Sequence, residues 1–405
     1  MNKSPIKNIL NLAEPLILTN DKTSFIHHGR HPESVKLSPQ LYLPLIPSTV
    51  IDEESLNLIQ VLELHRAIDR TKSATGSALL LRSLVQPSTD LTYILSKQEA
   101  LDEIAADNKL RQALTDCVQE FTRGENALYK FFNKGLRASF PYSDIKKARQ
   151  SSVNLARSIQ AIPRAESVYL NALLSNLHSY KGTSVDQMMQ GTMAMTFTGL
   201  KSEKEMGFFT PRRRFRPQRF TEWLLAGPAL ALTPYLKETL GLGPPLSPWV
   251  PTMGLAWTGA YVFYGLFIKP VNDTEKFIEP FRKKCISDMG FNRMIDGIGL
   301  MDELLSCHCF ANDFPHQAIL PRVTDQPHHF FEAGGLTSPV LAKQNKNFVP
   351  STVKLNGVRL TFLSGPNSGG KTTVCKTIVH NQLLAQSGSY VLAEKAEINI
   401  ADKIQ

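Results

Sequence analysis

Residues Gly365–Thr372 read Gly-Pro-Asn-Ser-Gly-Gly-Lys-Thr, which satisfies the spacing G-x-x-x-x-G-K-[ST]. Residue types in that order can hold a polyphosphate. Glycines let the backbone curl so that successive N–H groups point inward at phosphate oxygens. A helix that starts at the end of the loop adds its partial positive charge. Lys371 is placed to reach the β- and γ-phosphates, and Thr372 to put its hydroxyl on Mg²⁺. The expected ligands are therefore ATP or ADP, with Mg. The expected binding residues are Gly365, Pro366, Asn367, Ser368, Gly369, Gly370, Lys371, Thr372 and Thr373, with Thr372 the metal-facing one.

The elements around the loop fit that chemistry. Val358–Leu363, V-R-L-T-F-L, is rich in β-formers and predicts a strand leading into the loop. Thr373–Gln386 reads as a helix, closed by Gly388 at the position after the cap. Two other clusters carry reactive types. Cys307-His308-Cys309 resembles a ligand set, but neighbours on one helical turn face different ways, and a second pair of ligands is missing. Arg212, Arg213, Arg214, Arg216 and Arg219 form a basic run, suited either to anionic lipid or to DNA phosphates. Its position beside an apolar stretch favours lipid.

The whole chain has 405 residues, enough for two or three domains with cores of their own. A charged fraction of 20% against 42% apolar excludes general disorder, and the net charge of +9 suits a polyanionic partner. Five scattered cysteines fit reduced thiols and a cytoplasmic setting. Residues 1–51 read as an N-terminal arm. From Asp52 the text is helical. Leu58, Val61, Leu62, His65 and Ile68 lie on one helical face, Gly76–Val85 forms a helix stopped before Pro87, and Asp90 caps Ile94–Ala106. Helical text continues to about Tyr129, from Asp144 to about His178, and from Glu275 to about Asn312. After His329 it turns to strand and loop.

Residues 206–274 depart from this pattern. The basic run is followed by the apolar stretch Trp223–Leu236, a Pro/Gly-rich turn over Gly241–Pro251, and Trp249–Ile268, which is 20 residues without a charge. That length matches a hydrocarbon core of about 30 Å. Basic flanks put both ends on the cytoplasmic face, so the expectation is a re-entrant or two-span apolar hairpin in a lipid bilayer. A pair of buried core helices is the alternative, which Pro228 and Pro234 favour for the first segment.

With these stretches in view, the sequence resembles the MutS family of DNA mismatch-repair ATPases. Gly365–Thr373 is similar to the family's phosphate loop, and Gly388–Ile404 to the segment after its loop helix. Phe348-Val349-Pro350 stands where the family carries an aromatic that stacks on adenine. Arg70-Thr71-Lys72-Ser73-Ala74-Thr75-Gly76-Ser77, with Leu80, Leu84, Gln86 and Pro87, is similar to the start of its helical core and lever. The resemblance implies that Phe348 packs on the adenine ring and that Asn367 lies near the phosphates. It also implies duplex DNA as a partner, a homodimer in the full-length form, and ATP-driven lever motion on DNA. The implied fold class is a mostly α lever and core (52–205 and 275–325) with a partial α/β P-loop domain (326–405), interrupted by the hairpin.

The departures are equally specific. The arm is too short for a mismatch-reading domain, and the hairpin occupies the place of a DNA clamp. Leu336-Thr337-Ser338-Pro339 keeps only the proline of an R-H-P motif. Hydrolysis needs a carboxylate to hold Mg²⁺ and organise the attacking water. Glu394, Glu397 and Asp402 are the acids after the loop, and none ends an apolar strand. The expectation is a C-terminally truncated or split ATPase that binds nucleotide and turns it over poorly. A membrane transporter ATPase and a non-catalytic nucleotide-binding scaffold are the alternatives left open.

Overall fold

The structure is a computed structural model that describes residues 50–51, 53–133, 142–215, 226–240, 249–344, 348–357, 360–365 and 370–404. The chain divides into two compact units: 1–133, 151–181 and 289–405 form one, and 134–150 with 182–288 the other. The arm before Val50 lies outside the described residues.

In the first unit, α1 (Glu53–Leu58) and α2 (Val61–Ile68) are separate helices. The sequence periodicity predicts one continuous face there, but Gln60 takes a left-handed conformation (φ 58°) that ends the first helix before the second starts. Helix α3 (Ala74–Val85) stops one residue before Gln86-Pro87, as the proline requires. Helix α4 (Leu91–Ala106) is capped by Asp90, whose carboxylate accepts the Thr92 and Tyr93 N–H groups. Helix α5 (Asn108–Asn133) follows. Helix α6 (Tyr142–Ala161) ends before Pro163, and α7 (Val168–His178) begins where the Glu103 carboxylate accepts the Glu166 and Ser167 amides.

The second unit holds α8 (Ser184–Gln190), then β1 (Met193–Thr196), β2 (Gly199–Ser202) and β3 (Arg213–Arg214) in the order β2-β1-β3, all antiparallel. Phe215 and Phe277 are buried together behind this sheet, with ring centroids 5.2 Å apart. Helices α9 (Ala226–Thr239) and α10 (Trp249–Phe263) pack on each other. A π turn over Tyr264–Ile268, α11 (Lys269–Asp273), a second π turn over Thr274–Ile278 and α12 (Glu279–Ser287) complete the unit.

The membrane-spanning expectation finds no support among the described residues. The uncharged run 249–268 is not one regular helix, because α10 gives way to the π turn at Tyr264. The partner helix α9 contains Pro228, Pro234, Lys237 and Glu238. Among the described residues no helix is long and apolar enough to cross a membrane. Apolar content here is shared by two short helices, and Leu232, Tyr235, Trp249, Met253, Leu255 and Trp257 are each more than half exposed.

The first unit resumes with α13 (Met289–Asp313), whose residues from Phe291 to Cys307 are buried almost without interruption. Apolar residues share this buried stretch with Asn292, Asp296, Asp302, Glu303 and Ser306. The helix packs against α3, α5 and α7. Gly299 makes that approach close: a Cβ there would meet Leu79 Cδ1 at 2.5 Å. Next come β4 (Ala318–Ile319), β5 (Arg322–Thr324), β6 (Phe330–Leu336), α14 (Pro339–Gln344), β7 (Ser351–Asn356), α15 (Lys371–Gln386), β8 (Val391–Leu392) and β9 (Lys395–Asn399). The sheet order is β5-β9-β6-β7, with only β5 and β9 parallel, while β4 pairs with β8.

Candidate nucleotide-binding site

Helix α15 starts at Lys371, directly after Gly370, which sits in the left-handed region at φ 74°. Gly365, at the other end of the loop, has φ 151°. Side chains strain both conformations, so the two glycines are there for their backbones. A Cβ on Gly365 would meet nothing within 4 Å, and one on Gly370 only Thr373 at 4.0 Å. Space beside these two end glycines is open. The Lys371 ammonium turns back and donates to the Gly365 carbonyl, which brings the charge to the mouth of the loop. Thr372 is exposed and Thr373 half-buried in the first turn. Pro366, Asn367, Ser368 and Gly369 lie outside the described residues. Phe348 is half-buried in the segment leading into β7, and no described interaction joins it to the loop.

Of the strand expected over Val358–Leu363, Val358 and Arg359 lie outside the described residues. Leu360–Leu363 has no regular structure, with Leu360 68% and Phe362 85% exposed. The four-stranded sheet closes without it, and among the described residues no strand pairs with it. β-propensity without a ladder partner does not make a strand.

The far half of α15 is polar yet buried, and its side chains bond partners distant in sequence. His380 bonds the Ile59 carbonyl at 2.6 Å, and burial pushes its pKa below the ordinary histidine value. The Asn381 amide donates to the Thr337 carbonyl at 3.0 Å and accepts the Leu392 N–H at 3.0 Å. Gln382 donates to the Asn399 carbonyl at 2.8 Å. Gln386 donates to the Ser88 carbonyl at 3.0 Å, while the Ser88 N–H donates to the Gln386 carbonyl at 3.1 Å. These bonds fasten the helix behind the loop both to the sheet and to the start of the helical core. The sequence shows the helix but not these partners, which lie up to 321 residues away.

The C-terminus of α15 makes a further contact. Gly388 (φ 72°) donates to the Ala385 carbonyl and Ser389 to the Leu384 carbonyl, a Schellman turn that places Gly388 where the sequence expects it. A Cβ on Gly388 would come within 3.0 Å of the Lys97 side chain. Lys97 is fully buried and bonds Glu303 at 2.6 Å, joining α4 to α13. Burial alone would lower the Lys97 pKa, but the Glu303 carboxylate overrides it and holds the ammonium above its ordinary value. No sequence pattern announces this pair.

The segment Arg70–Ser77 also acquires a physical role. Ser73 caps α3 by accepting the Gly76 N–H. The Asp302 carboxylate of α13 accepts from the Lys72 and Ser73 amides and the Ser73 hydroxyl, the last at 2.6 Å. The Glu125 carboxylate of α5 accepts from Ala74 N, Thr75 N and the Thr75 hydroxyl. Two buried acids thus sit at the positive end of one helix, where its dipole favours them. Gly76 is needed because a Cβ would fall 2.3 Å from Asp302 Oδ2.

This helical core is what comparison with known proteins recognises. The family model MutS domain III matches residues 48–308. The chain belongs to the MutS family. Its relatives include the DNA mismatch repair protein MutS of Thermosynechococcus vestitus, 24% identical over 425 residues that cover 91% of this chain and 45% of that protein. The DNA mismatch repair protein MutS of Haloquadratum walsbyi is 34% identical over 109 residues, 27% of this chain and 11% of that protein. The Endonuclease MutS2 of Streptococcus suis is 35% identical over 98 residues, 24% of this chain and 12% of that protein. The chain spans less than half the length of the MutS-family relatives it matches. The transporter reading finds no support among them.

Proposed function

We propose that this chain is a nucleotide-responsive, DNA-associated member of the MutS family, in which ATP at Gly365–Thr373 biases the helical core that carries the lever. The supporting observation is mechanical. The helix that begins with Lys371 ends on Ser88, Lys97 and, through Lys97, Glu303. A change at the phosphate loop therefore has a short covalent and hydrogen-bonded route into α4 and α13.

In this reading Lys371 faces the β- and γ-phosphates, and the loop amides at Gly365–Gly370 take the remaining phosphate oxygens. The Thr372 hydroxyl holds Mg²⁺, and Phe348 covers the adenine. The open space beside Gly365 and the position of the Lys371 ammonium fit a bound triphosphate. Mg²⁺, when bound, would neutralise phosphate charge. Duplex DNA is the proposed polyanionic partner, a homodimer the proposed full-length assembly, and a reducing cytoplasm the proposed setting, in keeping with five free cysteines.

The test is duplex DNA retention measured with and without Mg-ATP, in the wild type and in Lys371→Ala. The proposal expects ATP to change DNA affinity in the wild type and to have no effect in the variant. DNA binding that ignores ATP in both proteins would contradict it. ATP binding with neither phosphate release nor a DNA effect would favour the nucleotide-binding scaffold.

A further inference from the structure

The sheet of the second unit exposes three aromatic rings on a basic edge. Phe197 forms the turn between β1 and β2 and is 93% exposed. Phe208 and Phe209 lie in a turn closed by the Thr210 N–H to the Gly207 carbonyl, and are 87% and 92% exposed. Their rings pack edge to face, 5.2 Å between centroids. The register Met195↔Arg213 puts Arg212 at the end of the sheet where Phe197 turns, and Arg212 donates to the carbonyl of Gly207, the residue before Phe208.

Residues 197–214 carry five cations, Lys201, Lys204, Arg212, Arg213 and Arg214, against two carboxylates. Both carboxylates are engaged within the sheet: Glu203 pairs with Arg214, and Glu205 accepts the Ser202 N–H at 2.9 Å. Arg212 and Arg213 lie at the Phe197 end of the sheet, while the pairing Met193↔Ser202 puts Lys204 at the other end.

We propose that this edge binds single-stranded nucleic acid, the phosphates meeting Arg212 and Arg213 while unpaired bases stack on Phe197, Phe208 and Phe209. Stacking needs an open base face, which a duplex hides inside its helix. Lipid is the poorer fit. The immediate sequence neighbours of the rings, Thr196, Thr198, Gly207 and Thr210, are polar or small and offer little to hydrocarbon. The site lies wholly in the second unit and owes nothing to the nucleotide loop, so it stands or falls separately from the function proposed above.

The experiment is fluorescence anisotropy of a labelled oligo-dT of about 16 nucleotides, long enough for one such site. It uses the whole chain without ATP, beside a duplex of equal length and anionic phosphatidylserine vesicles. The proposal expects saturable, salt-sensitive binding of the single strand. Phe208→Ala/Phe209→Ala should weaken it about 10-fold or more while leaving the melting temperature unchanged, since both rings are solvent-facing. Phe208→Trp/Phe209→Trp should restore it. Equal single-strand affinity in the alanine variant would overturn the proposal, as would binding to duplex alone, binding to vesicles alone, or no binding at all. Duplex binding with no single-strand binding would leave the DNA-associated reading intact while ending this one.

Discussion

Asp296 is buried in α13 with one carboxylate oxygen lacking a hydrogen bond, and burial raises its pKa to about 8 against the opposing pull of Arg82. A carboxyl whose folded pKa lies above its unfolded value binds its proton more tightly in the native state. Stability then falls as pH rises from the unfolded value of about 4 to the folded value of about 8. Asp296→Asn copies the protonated form. It is expected to flatten the pH dependence of urea unfolding between about pH 5 and 8 and to gain most at the upper end. A wild type whose stability is constant over that range would contradict the assignment. Lys97 and Glu303 behave differently, because each is buried only by virtue of the other. Glu303→Gln or Lys97→Met alone should cost about 3–5 kcal/mol, and Lys97→Met/Glu303→Leu should recover much of it, measured by urea unfolding. None of this was legible in the sequence. Lys97 and Glu303 stand 206 residues apart and look like ordinary helix-surface charges until α4 and α13 meet.

At the scale of elements, local signals succeeded where the physics is local. Asp90, Pro87 and Gly388 each act within a few residues of themselves, and α4, α3 and α15 begin or end accordingly. The phosphate-loop spacing likewise locates the start of α15, with Lys371 as its first residue. Signals that depend on a distant partner misled. Val358–Leu363 has strand composition, but among the described residues the sheet supplies it no neighbour. The run 249–268 has a membrane helix's length and charge, but the change to π geometry at Tyr264 cannot be seen in hydropathy. Two glycine substitutions probe the elements directly. Gly388→Ala combines a left-handed backbone with contact on Lys97, and should cost about 1–2 kcal/mol from the backbone alone. Gly76→Ala would drive a methyl into the Asp302 carboxylate and should cost about 1–3 kcal/mol by overpacking. Thermal melts of both variants that match the wild type would contradict the close approaches described here.

For the whole molecule, the two units divide the work. The first combines a buried helical core of MutS type with the loop-and-helix device at Gly365–Gln386. The second carries a small basic sheet and an apolar helical pair. Within the first unit, α15 links the loop to the core through bonds at both of its faces, so nucleotide affinity and core stability should be coupled. The most direct test is calorimetric titration of Mg-ATP into the whole chain and into Lys371→Ala. The account predicts saturable binding to the wild type and an affinity about 10- to 100-fold weaker in the variant, the loss expected for one charge-assisted contact, with an unchanged fold. Equal affinity in the two proteins, or no binding to the wild type, would contradict it.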